Sequence, residues 1–338
     1  EPVATGGAWS LTGNAGTDPT TNFLGTTDNV ALEIRVNNQR AFRLEPGSSP
    51  NVIGGLRSNK VGAGVVGATI AGGGATTCIS PPCYNEVTAD LGTVSGGMGN
   101  LASGIGATIC GGQDNTASGV DSTACGGASN TAGGWYSFAA GFHANANHNG
   151  TFVWADSNAL SFSSTAANEF SARATGGVRF VSAIDGAGNP TAGVYLAPGS
   201  NAWSAISDRE LKENFSPVDG RLILERLSQI PISEWNMRSQ DPSIRHIGPM
   251  AQDFYAAFGL GESERYINSG DADGIALISI QALYQLSLEK DEQLAQLSRE
   301  LEELRASNAT LQEQVGALLE RLAKVEQEVE ALTRASQE

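Results

Sequence analysis

The sequence predicts a chain that is mostly β in its N-terminal part, followed by a small α+β module and a C-terminal coiled coil. Three observations predict this fold class. A Gly-rich, nearly charge-free region repeats every 15 residues, a charged boundary follows at Ser207, and a heptad pattern of apolar residues continues towards the C-terminus. We expect five segments: an N-terminal β segment at 1–50, a repeat head at 51–150, a β stalk or neck at 151–206, the small module at 207–274 and the coiled coil at 275–338.

The composition excludes several classes of function. Of the 338 residues, 42 are Gly and only 17 % are charged, and the net charge is −16. This charge argues against a nucleic-acid partner, because phosphate contacts need Lys and Arg. No run of about 18 apolar residues occurs, so no membrane-spanning helix is predicted. Residues 1–200 contain two His and no phosphate-binding loop, so we expect no cofactor, no metal and no turnover of an external substrate.

The N-terminal segment contains two runs in which apolar and polar residues alternate. They are Val30–Val36 and Arg40–Leu44, with Asn37–Gln39 between them. Alternation with a polar turn predicts a β-hairpin.

The repeat head has a fixed phase. Asn recurs every 15 residues, and Gly pairs keep the same spacing (Asn100, Asn115, Asn130, Asn145; Gly96-Gly97, Gly111-Gly112, Gly126-Gly127). So short a period predicts one supersecondary unit, stacked on its neighbours to bury a shared core. Residues 67–73 match residues 106–112, which makes 78–90 an insertion between coils.

The four cysteines all lie in the Gly-rich region. Cys78 and Cys83 flank a small loop, for which the alternatives are a disulfide and free or otherwise paired thiols. Cys110 and Cys125 are one period apart, so the strand spacing of about 4.8 Å brings them within disulfide range, or both are buried small residues. A zinc site lacks ligands nearby, since the closest His is His143. Disulfides favour an extracellular setting.

The repeats resemble the left-handed β-roll heads of trimeric autotransporter adhesins over about residues 50–150. The 15-residue period and the cysteine insertion depart from the commoner 14-residue form. The resemblance implies three rolls packed around one axis, with a surface that binds a cell-surface receptor or glycan. Further strands are predicted at Phe152–Ala155 and Val178–Val181, with a turn at 185–190.

The C-terminal segment carries apolar residues at alternating steps of three and four (Leu294, Leu297, Leu301, Leu304, Leu311, Val315, Leu318, Leu322, Val325, Val329, Leu332). This heptad pattern predicts a coiled coil on the order of 90 Å long. Asn308 fills the one missing apolar slot. A buried Asn fixes the register and is compatible with two or three chains.

The module at 207–274 is predicted to contain helices at Arg221–Leu227 and Ala251–Phe258 and a strand at Ile232–Asn236. Two motifs accompany these elements: Ser-Asp-Arg-x-Leu-Lys-x-Asn at 207–214 and His-Ile-Gly-x-x-Ala-Gln at 246–252.

Ser207 and Lys212 form a candidate catalytic pair. A Ser hydroxyl needs a base to attack an amide, and a desolvated Lys can serve as that base. The alternative is that Ser207 and Asp208 cap a helix and that Lys212 is a solvated helix residue.

The two motifs followed by a coiled coil resemble the C-terminal intramolecular chaperone of endosialidases and phage tail spikes. The resemblance implies a homotrimer whose chaperone cuts itself off between Ile206 and Ser207, with Ser207 as nucleophile and Lys212 as base. Asp208, His246 and Gln252 are candidates for orienting the pair or holding the oxyanion. The expected protein is a trimeric tail-fibre-like protein on a cell surface or phage virion. The alternative is a trimeric adhesin with a permanent, non-cleaving trimerisation module.

Overall fold

A computed structural model describes residues 9–78 and 81–336. The chain divides into two compact units, and the boundary between them lies between Leu211 and Lys212. The described part of the N-terminal unit is β-rich, and the C-terminal unit combines short elements with one very long helix. The predicted fold class is therefore confirmed, while the number of chains stays a prediction.

The N-terminal unit begins with the predicted β-hairpin. β1 (Leu32–Val36) and β2 (Gln39–Glu45) pair antiparallel. Asn37 and Asn38 between them have φ of 48° and 54°. Two positive φ values define the tight turn whose twist matches that of the flanking strands. β2 also pairs antiparallel with β3 (Asn51–Gly54), so the hairpin covers the first edge of the stack that follows.

From β3 onward, parallel strands stack into a two-sheet solenoid. The strands after β3 alternate between the two sheets: β4 (Lys60–Val61), β5 (Thr69–Ile70), β6 (Glu86–Val87), β7 (Thr93–Val94), β8 (Leu101–Ala102), β9 (Thr108–Gln113), β10 (Thr116–Ala117), β11 (Thr123–Ala128), β12 (Thr131–Ala132), β13 (Phe138–Gly141), β14 (Ala144–Ala146), β15 (Phe152–Ala155), β16 (Phe162–Ser163) and β17 (Phe170–Arg173). The odd strands form one sheet with the hairpin, and the even strands form the other. Each coil thus gives one strand to each sheet.

The solenoid core is thin because small side chains fill it. Fully buried apolar residues face each other between the sheets (Ile70, Val87, Val94, Ala102, Ile109, Ala117, Ala124, Ala132, Ala139, Val153). The backbones of successive coils also approach closely. Gly127 has a φ of 72°, and a Cβ at this position would overlap the carbonyl oxygen of Gly141 in the next coil.

A ladder of buried Asn side chains runs along one edge of this core (Asn59, Asn85, Asn100, Asn115, Asn130). The Nδ2 of Asn115 donates to Oδ1 of Asn100 at 3.2 Å. The Oδ1 of Asn115 accepts the backbone N–H of Asn130 at 3.0 Å. The amides therefore link successive coils as well as closing each turn.

The ladder ends at Asn130, and the prediction that Asn145 continues the series is wrong. The Oδ1 of Asn130 accepts the backbone N–H of Ala144 at 2.9 Å, and Asn145 pairs with Thr131. The reason is a length change, because the coil after Asn130 is one residue shorter and Ala144 takes the ladder position.

The predicted insertion at 78–90 is too long. Asn85 is a full member of the ladder, and β6 pairs with β4 on one side and β8 on the other. Asn59 and Asn85 are 26 residues apart, where later ladder members are 15 apart. The extra residues therefore lie before Asn85.

The last coil is closed by a salt bridge. Arg173 Nε lies 2.8 Å from Asp156 Oδ1, and both side chains are largely buried. Hydrogen bonds from the Thr175 hydroxyl and backbone N–H, together with Arg173, hold the pKa of the Asp156 carboxyl well below its usual range. Between Lys60 and Arg173 the sequence contains no Lys or Arg.

Three more strands complete the N-terminal unit: β18 (Val178–Ile184), β19 (Pro190–Leu196) and β20 (Trp203–Ala205). They form an antiparallel sheet in chain order. β20 is the edge strand on the side of the candidate cleavage site.

The C-terminal unit contains α1 (Gly220–Gln229), β21 (Ser233–Trp235), β22 (His246–Gly248), α2 (Ala251–Phe258) and α3 (Ser269–Ala335). The three predicted elements of the module are confirmed. Asp219 caps α1, since its side chain accepts from the N–H groups of Arg221 and Leu222. α1 packs on α3 where Gly220 faces Ala282, and this contact buries Ala282.

Candidate functional site

The bond between Ile206 and Ser207 follows directly after edge strand β20. The N–H of Ile206 donates to the carbonyl oxygen of Gly193 at 3.1 Å, which extends the pairing of β20 with β19. The Ile206 side chain is 39 % exposed, and Ser207 is exposed. The backbone is therefore held up to Ile206, and the bond itself is accessible.

A groove of about 690 Å³ lies beside this bond. Arg179 and Tyr195, which pair across β18 and β19, line it together with Ile206, Asp208 and Leu211. The groove thus contacts residues on both sides of the Ile206–Ser207 bond. Sequence reasoning missed Arg179 and Tyr195, because an Arg and a Tyr inside strand patterns carry no signal of a site.

The motif that begins at Ser207 forms a single tight turn. Asp208 Oδ1 accepts the N–H of Glu210 at 3.0 Å, and a 3-10 helix covers Arg209–Leu211. Asp208 therefore caps this turn, and the first α-helix begins only at Gly220. Ser207 and Lys212 do not lie on one straight α-helix, on which a five-residue spacing would turn them away from each other.

The predicted site residues are divided between the two units. Ser207 and Asp208 end the N-terminal unit, while Lys212 begins the C-terminal unit. Both Ser207 and Lys212 take part in polar or electrostatic interactions. The roles of nucleophile and base therefore remain predictions.

The second motif is built into the C-terminal unit. His246 Nε2 lies 2.8 Å from Gln240 Oε1, and its ring lies 4.8 Å from the ring of Trp235, with which it pairs between β21 and β22. Gln252 is exposed in the first turn of α2. His246 thus has a structural environment of its own, and Gln252 is free to contact solvent-side groups of the module.

α3 exposes the predicted heptad residues. Its first turns contact α1, where Ile275, Ser279 and Ala282 are buried. Farther along, the eleven apolar heptad residues from Leu294 to Leu332 are between 49 % and 71 % exposed, and Asn308 is exposed among them. A continuous apolar stripe on a helix of 67 residues is the surface that a coiled-coil partner covers.

The cysteines differ in state. Cys78 and Cys83 form a disulfide with a Cα–Cα distance of 5.7 Å. Cys110 and Cys125 are both reduced, and neither is buried in the core, which excludes the alternative that they are buried small residues.

Among the residues described, no group of three or more His, Cys, Asp or Glu is arranged to hold a metal ion. Within the same residues, every helix is too short or too polar to cross a membrane.

A β-solenoid, a small helical module and a long helix with an exposed heptad stripe together define a fibre-like chain with a C-terminal assembly module. Residues 207–259 match the family described as "Chaperone of endosialidase". The match begins at Ser207 and supports a chaperone domain of this kind in the C-terminal unit. No curated protein and no solved structure matches the chain.

Proposed function

We propose that the protein is a homotrimeric, tail-fibre-like protein whose C-terminal module is an intramolecular chaperone. In this proposal the module brings three chains together, aligns their β-rich parts and then cuts the chain between Ile206 and Ser207. The observation that carries the proposal is the exposed heptad stripe of α3, directly behind a domain that matches the endosialidase chaperones.

The stripe favours assembly on energetic grounds. Fully burying one Leu or Val side chain stabilises by about 1.5–3 kcal/mol. Eleven such residues are half exposed or more along a helix that is about 100 Å long. A single helix of this kind gains little from tertiary packing beyond Ala282, so association with further copies is its source of stability. The β-roll resemblance favours three copies.

A chaperone role follows from folding kinetics. Parallel stacking of distant strands is slow, because loop closure has to precede the contacts that reward it. A coiled coil raises the local concentration of the other chains and fixes their alignment before the strands pair. After cleavage, the stalk loses the module that assembled it and persists through kinetic stability.

The proposed cleavage is an acyl shift followed by hydrolysis. The Oγ of Ser207 gives its proton to Lys212 and attacks the carbonyl carbon of Ile206. The C–N bond breaks, the proton passes to the amine of Ser207, and an ester joins Ile206 to the Ser207 oxygen. Water then hydrolyses the ester, which leaves a carboxylate at Ile206 and restores the Ser hydroxyl. The Ile206–Gly193 hydrogen bond and the groove beside the bond support this assignment, since they hold the acyl side in place.

The proposed setting is outside the cell, on a cell surface or a phage virion. The Cys78–Cys83 disulfide supports it, because such bonds persist in oxidising compartments. The solenoid surface is then the part that meets a cell-surface receptor or glycan.

The test is intact mass and sedimentation of the full chain. We expect the wild type to yield fragments 1–206 and 207–338, and Ser207→Ala to stay whole. Ser204→Ala, an exposed Ser on β20, is the matched control and should cleave normally. Uncleaved Ser207→Ala should sediment at three times 34.9 kDa. A wild type that stays whole, but trimeric, indicates the adhesin with a permanent module, and a monomer refutes both functions.

A further inference from the structure

Cys110 and Cys125 lie on the outward face of two neighbouring coils. Ile109 and Ala124, which precede them in β9 and β11, are fully buried in the core. Since side chains alternate along a strand, the two cysteines point away from that core. Cys110 is exposed and Cys125 is half-buried, so dissolved reagents reach the pair.

The two sulfurs are close enough to react with each other. Cys110 Sγ and Cys125 Sγ are 2.6 Å apart, with both thiols reduced. A disulfide holds its sulfurs about 2.05 Å apart and tolerates Cα–Cα distances of about 4.4–6.8 Å. Neighbouring strands of a sheet, about 4.8 Å apart, meet this requirement. Bond formation therefore needs only a small side-chain movement.

We infer that Cys110 and Cys125 are a redox modification site, at which a small-molecule disulfide such as oxidised glutathione generates a bond between two coils. The thiolate of exposed Cys110 attacks one glutathione sulfur, which forms a mixed disulfide and releases one glutathione thiolate. The thiolate of Cys125 then attacks the Cys110 sulfur and releases the second. The two cysteines lose two protons and two electrons, and oxidised glutathione is reduced to two glutathione molecules.

The surroundings make the reaction slow at neutral pH. Burial, together with the hydrogen bond from Cys125, raises the pKa of the Cys110 thiol to about 11. Because the thiolate is the attacking species, the rate should rise about tenfold per pH unit between pH 7 and pH 9. The site thus responds to sustained oxidation and not to brief exposure.

The bond would tie together coils that now depend on hydrogen bonds and a thin core. It closes a loop of about 15 residues, for which chain entropy predicts an unfolding equilibrium about 100-fold less favourable. The effect should be local, since Cys110 and Cys125 connect only the coils that contain β9 and β11.

The test exposes the native full chain to oxidised glutathione, blocks the remaining thiols with iodoacetamide and measures intact mass. We expect the wild type to lose two hydrogens and to take up no alkyl group. Cys110→Ser and Cys125→Ser should each retain one glutathione or one alkyl group, since neither can complete the second step. Hydrogen exchange in peptides from β9 and β11 should slow in the oxidised protein, and that in α3 should not change.

Three results overturn the inference. They are two alkylated thiols in the native wild type, a stable glutathione adduct in the wild type, and covalent dimers on a non-reducing gel. The Cys78–Cys83 disulfide is common to all variants, so it does not affect the comparison.

Discussion

Replacing Asn115 with Ala should open the middle of the solenoid, because this side chain joins three coils. Its Nδ2 donates to Oδ1 of Asn100 at 3.2 Å, to the carbonyl oxygen of Gly111 at 3.0 Å and to that of Gly127 at 3.3 Å. Its Oδ1 accepts from the backbone N–H and from the Nδ2 of Asn130, both at 3.0 Å. The substitution removes all five hydrogen bonds.

The magnitude follows from the groups left behind. The buried N–H of Asn130 loses its acceptor, and the carbonyl oxygens of Gly111 and Gly127 lose a donor. A buried polar group without a partner costs about 1–3 kcal/mol, and the space left by the amide adds to this. We expect the free energy of opening the coils around Asn115 to fall by about 4 kcal/mol. This corresponds to a loss of about 1,000-fold in hydrogen-exchange protection.

Hydrogen exchange with mass spectrometry is the suitable assay, because it reports the coils and α3 separately. Asn147→Ala is the matched control, since Asn147 is an exposed Asn on the same solenoid. Asn115→Asp keeps the size of the side chain but loses both amide donors, so it separates hydrogen bonding from volume and should destabilise as well. If Asn115→Ala exchanges like Asn147→Ala, the amide ladder is not what holds the coils together.

Two further substitutions probe the close coil contact and the end of the solenoid. Gly127→Ala should strongly destabilise the coils, because its Cβ would overlap the carbonyl oxygen of Gly141, whereas Gly126→Ala, with a similar positive φ but open space, should cost about 1 kcal/mol by thermal unfolding; equal losses would contradict the overlap argument. The pKa of Asp156 is lowered chiefly by the Thr175 hydroxyl, so its contribution to stability is complete above the ordinary pKa of about 4 and shrinks as the pH falls below that value. Asp156→Asn should therefore lower the melting temperature at pH 7 and flatten the decline between pH 5 and pH 2, and an unchanged acid slope would show that other carboxylates determine it.

Repetition made the solenoid predictable, and its interruptions limited the prediction. Asn100, Asn115 and Asn130 report the coil period directly, because each must hydrogen-bond to the one before. Asn145 keeps the spacing in sequence, but a one-residue deletion moves it out of the ladder. Asn85 belongs to the ladder although the extra residues before it hide its phase. Local spacing indicates a ladder only while the coil length is constant.

The junction was predictable in its residues but not in its geometry. Ser207 and Asp208 were identified from their spacing to Lys212 and from the second motif at 246–252. Their order in the sequence does not state which residue caps the turn, and the structure assigns that role to Asp208. Catalytic geometry at such a site depends on three-dimensional contacts between distant strands, which no local pattern encodes.

The absence of Lys and Arg between Lys60 and Arg173 has a consequence for proteolysis. Trypsin cleaves only after these two residues, so nearly the whole solenoid is a single tryptic peptide, whether it is folded or not. Its resistance to such enzymes is a property of composition and does not depend on tight packing. A stalk of this kind offers trypsin-like proteases sites only at its two ends, where the hairpin begins the stack and where Arg173 closes it.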